Sequence, residues 1–343
     1  MKIDALYFQS FRPAILSIPT VSTRLELADY LGSLKVRWGF GRDSYKVEPG
    51  LYRVGHPDPQ SDVLVTANYK LTFDVLRKNL DGLNVWILAL DTKGVNVWCS
   101  AGKGVFSTGN LVNHLKSTHL DQVVKHRTLI VPQLGATGVA AHKVRELSGF
   151  KVVFGPVRAK DIRSFIQNGY KATPAMRTID FPLVERAKLI PNDFMYQKFN
   201  LLLTLGILFF LSGLDKSGFL FSKMWATGFP PVLNLFGAYV AGIVIAPLAL
   251  PVTPFRVFAL KGALWGALLT LGLYLHFLPS WPEAVALALM NCAVASFMMM
   301  NFTGSSTYTS LSGVKKEMKW ALPIQISAAF AGLVLFVLSR LLW

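Results

Sequence analysis

Two patterns divide the chain. Up to about Pro191, apolar residues come in short runs with a charge every few positions; from Phe199 onward, long apolar stretches are broken by short polar loops. In the first part, Asp62–Thr66 and Asn84–Leu90 read as strands, rich in β-branched and aromatic residues, and Val95–Trp98 as a short extended piece after the turn Asp91–Gly94. Thr128–Val131 and Lys151–Phe154 complete the set. Helices are expected over Tyr69–Asn79, over Thr108–Leu120 (capped by Thr108 or Asn110), over Val139–Ser148 and over Ala159–Asn168. Strands that alternate with helices predict an α/β domain with a mainly parallel sheet. In such sheets ligands sit beyond the carboxyl ends of the strands. That rule points to Thr66–Tyr69, to Cys99 and its following glycines, to Pro132–Gly138 and to Gly155–Arg158.

In the second part, five stretches approach the roughly 20 apolar residues that cross a bilayer: Phe199–Leu214, Val232–Leu250, Phe258–Leu278, Ala284–Met300 and Ala321–Leu342. Trp and Tyr near their ends favour membrane spans over buried helices of a large soluble core. The expected organisation is residues 1–190 as the α/β domain, 191–198 as a linker and 199–343 as an all-α transmembrane domain of five helices.

The formal net charge is +16. Past residue 197 there are nine basic and three acidic residues, so most of the excess lies in the first part. It suits an anionic partner or a negative membrane surface. Nucleic acid is not indicated, because no basic run is interleaved with aromatics. Arg186, Lys188 and Lys198 precede the first span. Arg256 and Lys261 lie between the second and third, and Lys315, Lys316 and Lys319 between the fourth and fifth. Lys216 and Lys223 and the Lys/Arg-free Leu278–Glu283 turn fall on the other side. The positive-inside rule then puts the α/β domain in the cytoplasm, the chain in the inner membrane and the C-terminus outside. Met1–Thr20 shows no signal peptide.

Of the two cysteines, Cys292 lies in the fourth apolar stretch and Cys99 in the α/β domain, so no disulfide between them is expected. Two cysteines do not hold an iron–sulfur cluster, which normally needs four; electrons would have to come from another protein. Around Cys99 the text runs Asn96-Val97-Trp98-Cys99-Ser100-Ala101-Gly102-Lys103-Gly104. A short strand would deliver one thiol to a run of small residues. Were that run to open a helix, the helix dipole and Lys103 would favour the thiolate, a soft metal ligand. The bland alternatives are a small buried cysteine and a plain turn. Ser107 stands where a dinucleotide loop has its third glycine, and no phosphate-binding loop is present.

Asn96–Lys103 resembles the cap-helix motif of the membrane-bound corrinoid protein of microbial mercury methylation. The resemblance extends through Val65–Asp74, Leu129–Gly138 and Phe154–Asp161. That family joins a cytoplasmic corrinoid domain to about five membrane helices. Its soluble part is similar to the corrinoid-binding large subunit of the corrinoid iron–sulfur protein of the acetyl-CoA pathway. Ser100 departs from the alanine the family most often has there; serine is nearly as small, and its hydroxyl can bond the local backbone.

The resemblance implies a methyltransferase with a cobalamin-type corrinoid, in which Cys99 is the lower axial ligand of cobalt. Asn96, Val97, Trp98, Ser100, Ala101, Gly102 and Lys103 would form the cap against the corrinoid. Thr66, Asn68, Gln133, Leu134, Gly135, Ala136, Thr137 and Gly138 would contact its side groups. None of the six histidines stands in the Asp-x-His-x-x-Gly frame of histidine-ligated corrinoid proteins. The implied reaction moves a methyl group from cobalt to Hg(II). The implied partners are a ferredoxin-like protein with two [4Fe–4S] clusters and a folate-pathway methyl donor acting through a methyltransferase. Two alternatives stay open: a membrane-anchored corrinoid methyl carrier of one-carbon metabolism, and a transporter with a regulatory domain. The few ionisable residues in the spans speak against the transporter. Trp98 could equally anchor a core. Cys292 and Met298–Met300 fit ordinary helix packing, and Lys198 and Arg340 are expected to snorkel.

Overall fold

A computed structural model describes residues 18–277, 280–305 and 311–342. Most of Met1–Thr20, and the Leu278 end of the third apolar stretch with Pro279, lie outside the described residues. The chain divides into two compact units, residues 1–36 with 40–180, and 37–39 with 181–343.

In the first unit, β1 (Gly50–Val54), β2 (Val63–Ala67), β3 (Val85–Leu90), β4 (Thr128–Val131) and β5 (Lys151–Phe154) form one sheet in the order β1-β3-β2-β4-β5. β1 runs antiparallel to β3; every other pairing is parallel. The helices around the sheet are α1 (Leu27–Arg37), α2 (Lys70–Lys78), α3 (Val97–Gly102), α4 (Thr108–Ser117), α5 (Leu120–Val123), α6 (Ala141–Ser148) and α7 (Ile162–Gln167).

Two-residue alternation explains why the central strands are continuously apolar. Val63, Val65 and Ala67 of β2 join Trp86, Leu88 and Leu90 of β3 in a core with Val97, Leu111, Leu115 and Val144. Leu64, Ile87 and Ala89 face the other way, onto Phe73 of α2 and Phe165 of α7. A strand buried on both faces favours apolar residues throughout, and Thr66 is the one polar residue of β2.

The expected strands appear within a residue of their predicted bounds. Val95–Trp98 is a correction: Val97 and Trp98 open α3 instead of extending a strand. The cap of α4 is Ser107, whose hydroxyl accepts from Asn110 N at 3.4 Å, in place of Thr108 or Asn110. His119, at φ 47°, separates α4 from α5. β1 and α1 were not anticipated. α1 is locked by a charge ring: Lys70 Nζ lies 2.5 Å from Asp29 and 2.6 Å from Asp74, and Arg77 lies 2.7 Å from each. Arg77 also donates to the Ser22 and Arg24 carbonyls.

The second unit holds α8 (Leu183–Ala187), α9 (Ile190–Tyr196), α10 (Lys198–Leu211), α11 (Phe221–Thr227), α12 (Phe229–Val240), α13 (Ala246–Leu248), α14 (Phe258–Phe277), α15 (Trp281–Ser305) and α16 (Leu311–Leu342). A π-helical turn, Ala241–Ile245, joins α12 to α13. By length and composition, four segments could cross a membrane: Phe229–Leu248, Phe258–Leu275, Trp281–Phe302 and Ser312–Leu342. A fifth exists only if α8–α9 and α10, bent by 60°, count together. The fourteen-residue α10 is short because Leu214 already pairs with Phe219 in a two-residue hairpin, β6 (Leu214–Asp215) and β7 (Gly218–Phe219). Lys261, Lys315, Lys316 and Lys319 stand on helices, not in loops.

Small residues let these helices approach. A Cβ on Gly262 would overlap the Ala295 carbonyl, and one on Gly266 would lie 2.6 Å from that of Asn291. This is the small-xxx-small logic of apolar helix pairs. Inside, Asn291 donates to Asn234 and, at 2.7 Å, to Thr270 Oγ1. At the end of α13, Arg186 donates to the Leu248 carbonyl, and Lys261 to those of Leu250 and Thr253 at 2.8 and 2.9 Å. Two cations thus meet the negative end of a helix. Arg340 does not simply snorkel; it pairs with Glu283 at 2.7 Å.

Candidate functional site

α3 is built by its two ends. Asn96 is extended, and its side-chain oxygen accepts the Cys99 N–H at 2.8 Å, satisfying an orphan donor of the first turn. Ser100 Oγ donates back to the Asn96 carbonyl at 2.6 Å and lies 3.1 Å from that of Val97. At the other end, Gly104 N donates to Ala101 O and Val105 N to Ser100 O, the paired bonds of a left-handed helix stop. Gly104 sits at φ 74° with open space around it, so backbone conformation alone calls for glycine there.

Helical spacing then sorts the motif. Val97, Ser100 and Ala101 are buried against the sheet, whereas Gly102 and Lys103 are exposed and Trp98 and Cys99 half-buried. Trp98 is therefore not a core anchor. Cys99 stands on the outer face of a short, doubly capped helix.

The Pro132–Gly138 segment leaves β4 as a 3-10 turn, Gln133–Gly135. A Cβ on Gly135 would come 2.6 Å from the Phe106 ring; one on Gly138 would overlap the Phe106 carbonyl and lie 3.2 Å from Ala101 Cα. Thr108 N donates to Gly138 O, and Thr108 Oγ1 accepts from Ala140 N. These contacts seat the loop directly against α3, with Ala136 half-buried and Thr137 exposed. Leu134 packs onto the core, and Gln133 accepts from Arg177.

Thr66 and Asn68 are placed differently. Both are buried, at 2% and 1% exposure. Asn68 Oδ1 accepts from Thr92 N, Thr92 Oγ1 and Gly94 N at 3.0 to 3.2 Å, while its amide donates to Asp91. It shapes the β3–α3 loop from the neighbouring strand. From the opposite side, Asn110 Nδ2 donates to the Asp91 and Val105 carbonyls at 2.8 Å, and His114 Nε2 accepts from Asp91 N. The roles of Thr92, Asn110 and His114 were missed from sequence; the one available cue was an asparagine directly after a strand. In the fourth segment, Gly155 N bonds the Val131 carbonyl and Arg158 bonds that of Asp180.

The arrangement thus presents one soft sulfur donor on a fixed helix, beside a loop of small residues, at the carboxyl ends of a parallel sheet. Among the described residues, no group of three or more His, Cys, Asp or Glu is placed to hold a metal ion by itself.

Residues 36–166 match the family described as CO dehydrogenase/acetyl-CoA synthase delta subunit. The chain is 32% identical over 128 residues to the acetyl-CoA decarbonylase/synthase complex subunit gamma of Methanopyrus kandleri, covering 37% of this chain and 27% of that one. The subunit gamma of Archaeoglobus fulgidus is 27% identical over 169 residues, 49% of this chain and 33% of its own. The corrinoid/iron–sulfur protein large subunit of Moorella thermoacetica is 30% identical over 122 residues, 35% of this chain and 27% of its own. The chain spans only about a quarter to a third of the curated relatives it matches. The shared part carries the sheet from β1 to β5, together with α3 and the Gln133–Gly138 loop. The first unit is thus an α/β domain similar to part of proteins named as acetyl-CoA decarbonylase/synthase and corrinoid/iron–sulfur protein subunits.

Proposed function

We propose that the first unit binds a corrinoid and serves methyl transfer. The observation that carries this is Cys99, half-buried on α3, the helix against which the Gln133–Gly138 loop packs, within the residues 36–166 that match the family. The residues fit such a group: a soft sulfur suits cobalt, and Gly102 and Ala136 leave room for a broad, flat molecule. When bound, the corrinoid supplies a cobalt that carries and gives up a methyl group. Cys99 would be the residue that holds the cobalt, through its sulfur. Asn96, Ser100 and Gly104 fix the helix that aims it. Trp98, Gly102 and Lys103 form the outer surface against the ring, with Val97 and Ala101 anchoring α3 to the core. Leu134, Gly135, Ala136, Thr137 and Gly138 line the adjoining wall. Thr66, Asn68 and Gln133 act from behind it.

Two methyl acceptors suit this carrier. The relatives' names support a membrane-anchored methyl carrier of one-carbon metabolism, handing the group on to an acetyl-CoA-forming enzyme. The Cys99 motif itself supports Hg(II) as substrate: a sulfur ligand would make a cobalt-borne methyl group more electron-rich and better suited to a soft electrophile. Two cysteines in 343 residues leave electron supply to a separate ferredoxin-like iron–sulfur protein, and the methyl group to a folate-pathway methyltransferase. The apolar helices of the second unit support a location in the cytoplasmic membrane, and the Lys/Arg bias of the sequence supports the first unit on its cytoplasmic side.

The test is methylmercury formation from isotopically labelled Hg(II) in anaerobic cells that supply the ferredoxin partner, with cobalt content measured on the purified protein. Product from the native chain, at least about 100-fold less from Cys99→Ala at equal protein level, supports mercury methylation. Cobalt bound without methylmercury moves the assignment to the methyl carrier. No bound cobalt overturns both.

A further inference from the structure

Within the second unit, α10, α12, α15 and α16 enclose a cleft of about 430 Å³. That is within the range of about 300–1,000 Å³ typical of small-molecule sites. Its walls are apolar, with Leu201, Leu235, Val294, Phe297 and Ile326 among them. It opens outward, since Thr204 and Ile326 on its rim are exposed.

Gln197, Asn200 and Thr204 add polar groups at α10, and a further amide lies buried in another wall. Gln325 is 6% exposed, in the first half of α16. Its amide nitrogen donates to Ser296 Oγ at 2.7 Å, but its Oε1 is buried and has no partner among the described residues. A buried amide oxygen without a donor is unfavourable, because it has given up water and gained nothing in return. The other titratable or charged chemistry that could answer it is missing from the walls. Of the lining residues only Tyr239 titrates, and its hydroxyl is already given to the Phe194 carbonyl at 2.8 Å. A charged ligand would find nothing to pair with.

We propose that this cleft binds one neutral lipophilic molecule bearing a hydroxyl group, a long-chain alcohol, whose hydroxyl donates to Gln325 Oε1 while its chain lies along Leu201, Val294 and Phe297. A hydroxyl brings the missing donor without a charge. The chain length accommodated is set by the cleft, and the outward opening lets such a molecule enter from a surrounding bilayer. The proposal is independent of the corrinoid assignment, which concerns the other unit.

The probe is hexadecanol carrying a mid-chain diazirine, photolysed with the full chain in nanodiscs, and labelled peptides are mapped by mass spectrometry. Labelling is expected on α10, α15 and α16 around Leu201, Phe297 and Ile326. Excess hexadecanol should suppress it, whereas hexadecyl methyl ether, which cannot donate, should compete about tenfold less well. Gln325→Leu should weaken binding about tenfold and erase the difference between alcohol and ether. Ala329→Phe, which fills the cleft and leaves the Gln325–Ser296 bond alone, should abolish labelling; it guards against a Gln325 variant that merely misfolds. Labelling absent from these helices in the native chain, or equal competition by alcohol and ether, overturns the proposal and leaves at most a groove for any alkyl chain.

Discussion

A Cβ at position 138 has nowhere to go, because the Phe106 carbonyl already fills that space. Gly138→Ala should therefore push the Gln133–Gly138 loop off α3 and cost about 1–3 kcal/mol, read from the urea midpoint of the first unit. Gly104 is the contrasting case, with a left-handed backbone in open space. Gly104→Ala should cost only about 1 kcal/mol and leave the loop contact intact. Asp29 gives a pH-dependent test. Burial pushes its carboxyl up, but bonds from Lys70, the Glu26 amide and Arg77 outweigh this and hold it down at about 2, below its ordinary 3.8. A depressed carboxyl stabilises the folded state fully above the ordinary value and loses that effect as pH falls through the folded value. The stability gap between the native chain and Asp29→Asn should be constant from neutral pH to about 4 and close between about 4 and 2, followed by urea unfolding. The motif Asn96–Lys103 could be picked out of the sequence by its chemistry, and Ser100's bond to local backbone followed from its short hydroxyl. The clamp at Asn68 could not, because its partners Thr92 and Gly94 come from a different strand's loop, over twenty positions away.

Among the elements, β2 and β3 were legible because burial on both faces leaves six apolar residues in a row in β3 and only Thr66 polar in β2. β1 was not, since an edge strand of five residues buries only Leu51 and Val54. α1 escaped for the opposite reason: Leu27, Leu31 and Leu34 are exposed, so its apolar spacing does not mark a core face. Val97 and Trp98 favour strands by type, and the Asn96 side chain overrides that preference by capping a helix. The same element carries a dynamic prediction. Because Asn68 ties the β3–α3 loop to β2, Asn68→Ala should leave the Thr92 and Gly94 amides unsatisfied, at about 1–3 kcal/mol. Amide hydrogen exchange at Val97–Lys103 should then accelerate, while Leu64 and Val65 in the sheet stay slow. Equal exchange in both proteins would show that α3 does not depend on this clamp.

At the scale of the whole molecule, the shift from short mixed runs to long apolar stretches was plain in the sequence. The length of the first apolar segment was misjudged because the hairpin at Leu214–Phe219 is made by backbone pairing, which hydropathy does not register. The cleft was invisible for a related reason: its walls come from four helices separated by more than a hundred residues. Each unit has cores of its own, the first around Trp86 and Phe165, the second around Leu287 and Met299. In calorimetric terms the chain is two cooperative systems on one polypeptide, and a single melting temperature does not describe it. Scanning calorimetry in nanodiscs should resolve two endotherms, with Gly138→Ala lowering one and Ala329→Phe altering only the other. Each unit thereby serves as an internal standard for the other: a variant that abolishes the proposed methyl transfer while both endotherms stay put has lost chemistry, not fold.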